Sequence, residues 1–305
     1  MSSPLVLKSQ LASVLGDSRS PCPIHARVHV LSVRDANGRP CSCSLAEILG
    51  GSIVGIRANQ DYLAQVNVPS RPGKAINPLL VISLDGVTDT SLPDHLSGGY
   101  ADVLSRPYLQ TLMKYLFVQR TWCFVFYTSK SRDEGLKMLK ELNLPTGGPE
   151  DDERDRRLGL FAEEDMRKWP GSRTPVMDLE SLWITLYEEE GVRWGVHDTL
   201  VLTHKSQEMA KQPYNFIHVP SIEFDVSPED DMFLLVMIGV LRDFESESNF
   251  AWYIKKLEFN KPDVWTLDDP KSTLESIELL YKAVRICAEN RITIRAFTGN
   301  KRDRR

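Results

Sequence analysis

The sequence lacks the long apolar runs and leader patterns that mark membrane and secreted proteins. No apolar run approaches the roughly 18 residues that a membrane-spanning helix needs, the longest candidate being residues 232–241. The first residues show neither the apolar centre of a secretion signal nor the Arg-rich amphipathic pattern of a mitochondrial presequence. We therefore expect no membrane span and a cytoplasmic or nuclear location, with the mitochondrion as the alternative.

A strong charge of one sign is also missing. There are 37 basic and 42 acidic residues, a net charge of −5, so no global basic field attracts nucleic acid. The only basic run is the tail at residues 301–305, which we interpret as a solvated end, with contact to an RNA-containing assembly as the alternative. The 305 residues are 42% hydrophobic and 26% charged, which is typical of folded globular domains.

Cysteine is scarce and scattered. The five cysteines are odd in number and no secretory signal accompanies them, which argues against a disulfide framework. A cluster near the N-terminus offers zinc ligands, namely Cys22, His25, His29, Cys41 and Cys43. The paired Cys-x-x-Cys spacing of structural zinc sites is absent there, so we interpret these residues as ordinary strand positions.

Residues 1–76 read as a small α+β region followed by a linker. A short helix is predicted near residues 5–15 and a strand over residues 27–34, where apolar and polar residues alternate. Asn37 and Gly38 together indicate a hairpin turn. The prolines and glycine of residues 69–74 indicate a linker, because they continue neither a helix nor a strand.

After the linker, buried-strand patterns alternate with helix patterns. Continuous apolar runs predict strands at residues 79–82, 122–127 and 199–202, and apolar periodicity predicts helices at residues 106–116, 132–142 and 178–190. This alternation is typical of an α/β fold with a doubly wound parallel sheet. The charged segment 145–170 is interpreted as an exposed insertion within it.

The region from residue 226 to residue 305 is predicted to be a helical extension with a basic tail. Its clearest helical patterns cover residues 230–241 and 272–288. The predicted domains are therefore residues 1–76, 77–225 and 226–305.

Ligands of open parallel sheets bind beyond the carboxyl ends of the strands, and the residues at those positions are polar in this chain. Ser83 and Asp85 follow the first strand, Thr128 follows the second, and Thr203 follows the last apolar run. Met177 immediately precedes the helix over residues 178–190. We expect Ser83, Thr128, Met177 and Thr203 to converge at one edge of the sheet.

The region from about residue 77 to residue 241 resembles the NLI-interacting-factor, or RNA polymerase C-terminal-domain, phosphatase branch of the haloacid dehalogenase superfamily. Its segment LLVISLDGV at residues 79–87 matches the family's strand ending in Asp-x-Asp-Gly-Thr/Val with one change. The other matching segments are RPYL at 106–109, FVFYTS at 124–129, DLESLW at 178–183 and QPYN at 212–215. The resemblance implies a haloacid dehalogenase-like sheet.

The resemblance also implies that catalysis has been lost. In that family an Asp attacks the phosphoryl group, a second Asp acts as acid and base, a Ser or Thr and a Lys hold the phosphate, and another Asp completes a magnesium site. The corresponding residues here are Ser83, Asp85, Thr128, Met177 and Thr203. Only Asp85 and Thr128 keep the required type, so we expect no metal and no cofactor.

Simpler interpretations of the retained residues stay open. Asp85 is as well explained by hydrogen bonds to the backbone amides of its own turn, and Thr128 by the N-cap of the following helix. His204 is interpreted as a loop residue rather than a ligand. Making Asp85 the nucleophile fails on spacing, since Val87 stands where the acid belongs.

A catalytically inactive phosphatase-like protein that binds protein partners as an interaction or scaffold module is the function we expect. A divergent active phosphatase and a structural subunit of a larger protein or ribonucleoprotein assembly are the alternatives. The pocket is expected to be filled by Met177 or by hydrogen bonds among Ser83, Asp85 and Thr203.

Overall fold

The computed structural model describes residues 57–73, 77–88, 105–145, 157–166, 177–220, 231–259 and 270–296. The chain divides into two units, residues 1–57 and residues 58–305, and all described residues except Arg57 belong to the second. The helix predicted near residues 5–15, the hairpin, the cysteine and histidine cluster and the basic tail lie outside the described residues.

Five parallel strands form the centre of the second unit. They are β1 (Leu79–Ser83), β2 (Cys123–Tyr127), β3 (Arg157–Phe161), β4 (Thr199–Thr203) and β5 (Phe216–His218), in the spatial order β3-β2-β1-β4-β5. Every residue of β1 and β4 is buried, because a central parallel strand is covered on both faces. The predicted α/β fold with a parallel sheet is confirmed.

Helices cover both faces of this sheet. They are α1 (Gln60–Val66), α2 (Leu109–Gln119), α3 (Arg132–Glu141), α4 (Leu179–Glu190), α5 (Phe233–Phe244), α6 (Phe250–Leu257) and α7 (Pro270–Glu289). The core on one face of the sheet includes residues of α2, α3, α5, α6 and α7, and the core on the other face includes residues of α4. Alternate residues of β1 supply the two cores, with Leu80 and Ile82 on one side and Leu79 and Val81 on the other.

The register brings the carboxyl ends of the central strands level with one another. Ser83 pairs with Tyr127, and Ile82 pairs with Leu202. The chain runs outward from β1 through β2 to β3 and then crosses to β4 on the other side of β1. The order therefore reverses between β1 and β4, which is where open parallel sheets form a ligand crevice.

Four elements depart from the sequence predictions. Segment 145–170 is not simply an exposed insertion, because β3 lies within it as an edge strand with Leu160 and Phe161 buried. β5, with only three residues, was not predicted, and α6 was not singled out within the helical region predicted for residues 226–305, since such short elements carry little periodicity. The helix predicted from residue 106 begins at Leu109.

The first described helix packs onto the same unit as the sheet. Tyr62 and Val66 of α1 are buried beside Val196 and Ala251, and the Asn249 side chain donates to two carbonyl groups of residues 65 and 68. Residues 58–70 therefore belong to the same folded unit as the sheet. Within the described part of the chain, no helix combines the length and apolarity needed to cross a bilayer.

Candidate functional site at the carboxyl edge of the sheet

A tight turn at residues 84–88 presents Asp85 at the end of β1. Gly86 has φ of 68°, a left-handed conformation that favours glycine. A Cβ at residue 86 would also fall 2.6 Å from Nδ1 of His204. The backbone of the turn therefore lies directly against the His204 ring, and only glycine meets both requirements.

The loop after β2 forms hydrogen bonds with the carboxylate of Asp85. Oδ2 accepts hydrogen bonds from the Thr128 hydroxyl at 3.0 Å, from the Ser129 backbone N–H at 3.2 Å and from the Ser129 hydroxyl at 3.4 Å. Asp85 is only 8% exposed. These three donors thus come from the loop after β2, whereas the sequence left amides of Asp85's own turn as an equally good explanation.

Two lysines neutralise this carboxylate. Nζ of Lys130 lies 3.4 Å from Oδ1 of Asp85, and Nζ of Lys205 lies 3.9 Å from Oδ2. Lys205 also donates a 2.8 Å hydrogen bond to the Ser129 hydroxyl. Because Lys205 follows β4, the turns after β1, β2 and β4 meet through one set of charges.

Electrostatics keep Asp85 ionised. Burial alone would raise its pKa, but the positive charges of Lys205 and Lys130 and the hydrogen bonds from Thr128 and Ser129 outweigh that effect. The pKa of Asp85 is therefore lowered from the ordinary 3.8. A general acid must carry a proton near the working pH, so this carboxyl is poorly suited to that role at neutral pH.

A second buried carboxylate, Glu208, shares Lys205. Its Oε1 lies 3.5 Å from Nζ of Lys205, and its Oε2 accepts a 2.6 Å hydrogen bond from the Tyr127 hydroxyl. Burial raises the pKa of Glu208, and the Lys205 charge and the Tyr127 hydrogen bond only partly oppose this. Lys205 is thus the common cation of two carboxylates.

His204 lies between the turn and two cations. Burial lowers its pKa from 6.5, and the charge of Lys205 lowers it further, against an opposing effect of Asp85. Its buried Nδ1 has no hydrogen-bond partner among the described residues. At neutral pH the ring therefore favours its uncharged form, and it lies directly against Gly86.

Ser83 and Thr203 lie where the sequence predicts them, at the carboxyl ends of adjacent strands. The Ser83 hydroxyl donates to the Asp85 carbonyl oxygen at 3.1 Å, and the Thr203 hydroxyl accepts from the Lys205 backbone N–H at 3.0 Å. Both residues are buried. Each hydroxyl therefore organises its own turn instead of contacting the Asp85 carboxylate as a neighbouring ligand.

Met177 and Thr128 differ in part from expectation. Met177 is fully buried in the apolar cluster beneath α4, together with Phe161 and Met209, so its side chain belongs to the core. Thr128 does not cap α3; Ser131 does, forming a capping box with Glu134. Thr128 instead holds Asp85 and accepts from the Lys130 backbone N–H.

Arg106 ties the turn after β1 to the start of α5. It forms a two-pronged ion pair with Asp231, at 2.7 and 3.2 Å, and donates to the Gly86 carbonyl oxygen at 3.2 Å. Its guanidinium lies 5.0 Å from the centre of the Phe233 ring. Arg106 is buried. Its ion pair and its hydrogen bond therefore hold the turn after β1 and the segment before α5 in a fixed arrangement.

The sequence alone did not identify Lys130, Lys205 and Glu208 as members of this site. Lys205 lies two residues beyond the end of β4, and Glu208 lies in a short turn at Ser206–Met209. A lysine two residues beyond a strand end and an acid three residues later were the available signal, since both fall at the crevice predicted for a parallel sheet.

Magnesium does not fit the residues that are present. The ion prefers several anionic oxygens in octahedral geometry, whereas the aligned positions offer the hydroxyls of Ser83 and Thr203, and Asp85 lies between two ammonium groups. The described residues contain no group of three histidine, cysteine or acidic side chains that could hold a metal.

The Ser129–Lys205 hydrogen bond superficially suggests a serine nucleophile with a lysine base. A lysine acts as a base only when it is neutral, and the neighbours of Lys205 are the carboxylates of Asp85 and Glu208. Lys205 pairs with both of them, so its side chain is engaged in holding the two carboxylates. The arrangement is therefore better suited to holding a fixed shape than to proton transfer.

A scan against models of protein families finds no match for this chain, and a search of curated proteins finds none either.

Proposed function

We propose that this chain is a phosphatase-like protein of the NLI-interacting-factor type that has lost catalysis and serves as a protein-interaction module. The strand order and the positions of Ser83, Asp85, Thr128 and Thr203 support the relationship, because these residues meet at the reversal point of a doubly wound sheet. The proposal includes the haloacid dehalogenase-like fold of the sheet.

One observation carries the proposal: the only acid left at the aligned positions already has its full set of internal partners. Asp85 is held by Thr128, Ser129, Lys130 and Lys205. In an acid–base role it would have to accept and release a proton during turnover. The lowered pKa opposes uptake of a proton, and the five contacts hold the carboxylate in place.

The nucleophile position leads to the same conclusion. Phosphoryl transfer in the related enzymes begins with attack by a carboxylate, and Ser83 offers a hydroxyl that is buried and bonded to the main chain. The cations also have a different role, since Lys205 neutralises Asp85 and Glu208 instead of remaining free for a phosphate. What survives is a rigid scaffold, and fold and function are separable.

Catalysis is tested with the purified full chain and p-nitrophenyl phosphate in the presence of magnesium. We expect the wild type to show no turnover above buffer. Robust wild-type turnover that Asp85→Asn abolishes would overturn the proposal and favour the divergent phosphatase.

A restoration series sharpens this test. Ser83→Asp with Thr203→Asp returns two carboxylates but leaves the Lys205 ammonium in place, so we expect no magnesium binding by calorimetry. Adding Lys205→Ser removes that cation and should permit binding. Met177→Lys is unsuitable for the series, since Met177 is fully buried among apolar side chains and a buried unpaired ammonium is costly.

The protein-binding half of the proposal is tested by affinity purification and mass spectrometry of partners. A deletion should stop at residue 56, because helix α1 packs onto the core. We expect the pocket variant Asp85→Asn to keep its partners and the deletion to lose some of them. Recovery of no specific protein with the full chain would contradict the proposal, and recovery dominated by RNA would favour the ribonucleoprotein alternative.

A further inference from the structure

The outward face of α7 carries an apolar stripe that the described residues leave exposed. Ile277, Tyr281 and Val284 expose 41%, 74% and 41% of their surfaces, and Ala288 continues the line on the same exposed face. Ala283 is fully buried and belongs to the core that includes α5. The helix is therefore apolar on two sides, of which the fold uses one.

The spacing of this stripe is regular. Its members are separated by four, three and four residues, the alternation of the a and d positions in a coiled coil. Single exposed apolar residues are ordinary on a protein surface. A seam with coiled-coil spacing on a solvent-facing helix is different, because its geometry suits a second helix lying alongside.

The charges beside the stripe indicate which helix fits. In this spacing Ile277 and Val284 are d positions. Glu278 and Arg285 follow them by one residue, so both are e positions on the same flank of the helix. Both side chains are exposed. In an antiparallel pair, e residues face e residues of the other helix. Two copies of α7 would then match Glu278 with Arg285 twice across a two-fold axis.

A parallel pair lacks this match. There the e residues face g residues, which are Leu280 and Cys287 in this register. The antiparallel register also matches sizes, since Tyr281 lies against Val284 of the second copy and Ile277 lies against Ala288 of the second copy. Large side chains opposite smaller ones pack well.

We propose that α7 mediates an antiparallel homodimer of this chain through the stripe Ile277, Tyr281, Val284 and Ala288. The stripe spans eleven residue steps, about 17 Å of helix at about 1.5 Å per residue. So short an interface belongs among the small ones, and we expect a weak dimer. The dimer is independent of the function proposed for the Asp85 site.

Sedimentation velocity of the full chain, from low to several hundred micromolar, measures this association. We expect concentration-dependent dimers in the wild type. Tyr281→Glu should weaken dimerisation by more than about 100-fold, since it places two like charges at the two-fold axis. Tyr281 is largely exposed, so the monomer should keep its circular dichroism spectrum.

Charge exchange tests the antiparallel orientation. Glu278→Arg and Arg285→Glu should each weaken the dimer by about tenfold, because each creates two like-charge contacts. The double exchange Glu278→Arg with Arg285→Glu should restore it, and so should an equimolar mixture of the two single variants. Glu189→Arg, an equal change of charge on α4, is the matched control and should leave association unchanged.

A wild type that stays monomeric throughout would overturn the proposal, including the case in which the N-terminal residues or another protein cover the stripe. A dimer insensitive to Tyr281→Glu would place the contact elsewhere. Failure of both the double exchange and the mixture to restore association would rule out antiparallel pairing.

Discussion

Two buried carboxylates, Asp85 beyond the carboxyl end of β1 and Glu245 beside the amino end of β2, are neutralised in different ways. Glu245 accepts hydrogen bonds from the Tyr115 hydroxyl at 2.8 Å and from the Trp122 ring N–H at 3.3 Å, and it pairs with Arg242. Two of its three partners are rigid aromatic groups that are themselves fully buried.

Asp85 relies instead on loop residues and on two lysines that reach in from solvent. Lys130 and Lys205 have 45% and 27% of their side chains exposed. Removing a partner of Glu245 leaves buried groups unpaired, whereas a lysine beside Asp85 is replaced in part by water. The Glu245 end of the sheet is therefore organised for stability, whereas the charges that neutralise Asp85 are partly exposed to solvent.

The largest expected effect is at Glu245. Glu245→Ala should lower the free energy of unfolding by about 3 kcal/mol, because it strands the Tyr115 hydroxyl and the Trp122 N–H in the core. Glu245→Gln keeps an acceptor and should cost about half as much. Urea denaturation measures both, and equal costs for the two variants would show that the hydrogen-bond acceptor is not what matters.

At the other end of the sheet, the backbone turn should matter more than any single charge. Gly86→Ala should cost about 2 kcal/mol, since a side chain there adopts a left-handed conformation and meets His204. In a His204→Ala background only the conformational part, about 1 kcal/mol, should remain. Thermal or urea unfolding of the four proteins gives the coupling, and an unchanged cost in both backgrounds would refute the contact.

Replacing Lys205 should lower the free energy of unfolding more than replacing Lys130, although both losses should be smaller than that of Glu245→Ala. Lys205→Met leaves Asp85 and Glu208 without their shared cation and should cost about 1–2 kcal/mol at pH 7, whereas Lys130→Met should cost under about 0.5 kcal/mol because that side chain is more exposed. The cost of Lys205→Met should shrink in acid as the carboxylates take up protons. Similar losses for the two lysine variants in urea unfolding would contradict the shared-cation description.

The pH dependence of wild-type stability should show two opposite, smaller effects. The pKa of Glu208 is raised above 4.5, so the folded state takes up its proton first and stability rises as pH falls toward 4.5. The pKa of Asp198 is raised as well and acts in the same direction. Asp85, lowered below 3.8, stabilises above 3.8, and its contribution is lost as pH falls through its folded value.

Urea unfolding between pH 7 and pH 2.5 tests this prediction. Glu208→Gln should reduce the gain near pH 4.5, and Asp85→Asn should reduce the loss below pH 3.8. If the free energy of unfolding of the wild type instead fell steadily from neutral pH, Glu208 and Asp198, whose pKa values are raised, would contribute less to stability than their burial implies.

The local sequence was enough to predict the strands that are continuous apolar runs and the helices that have a clear apolar periodicity. The apolar runs at residues 79–82 and 199–202 became β1 and β4, and the helix predicted at residues 178–190 became α4, capped by Asp178. The edge strand β3 was missed, because its neighbours are charged and an edge strand needs little apolar sequence. The pairing that defines it, with β2, is non-local.

The sequence by itself determined that Ser83, Asp85, Thr128 and Thr203 lie at or just beyond strand ends, and parallel pairing places such residues at one edge. Tertiary structure alone decided what surrounds them. Lys205 meets Asp85 only because β4 crosses to lie beside β1, Met177 joins the core only because α4 covers that face, and Glu208 is buried only where its turn packs on Tyr127. Contacts between distant segments depend on how whole helices and strands are placed relative to one another. The spacing of residues along the chain does not contain this information.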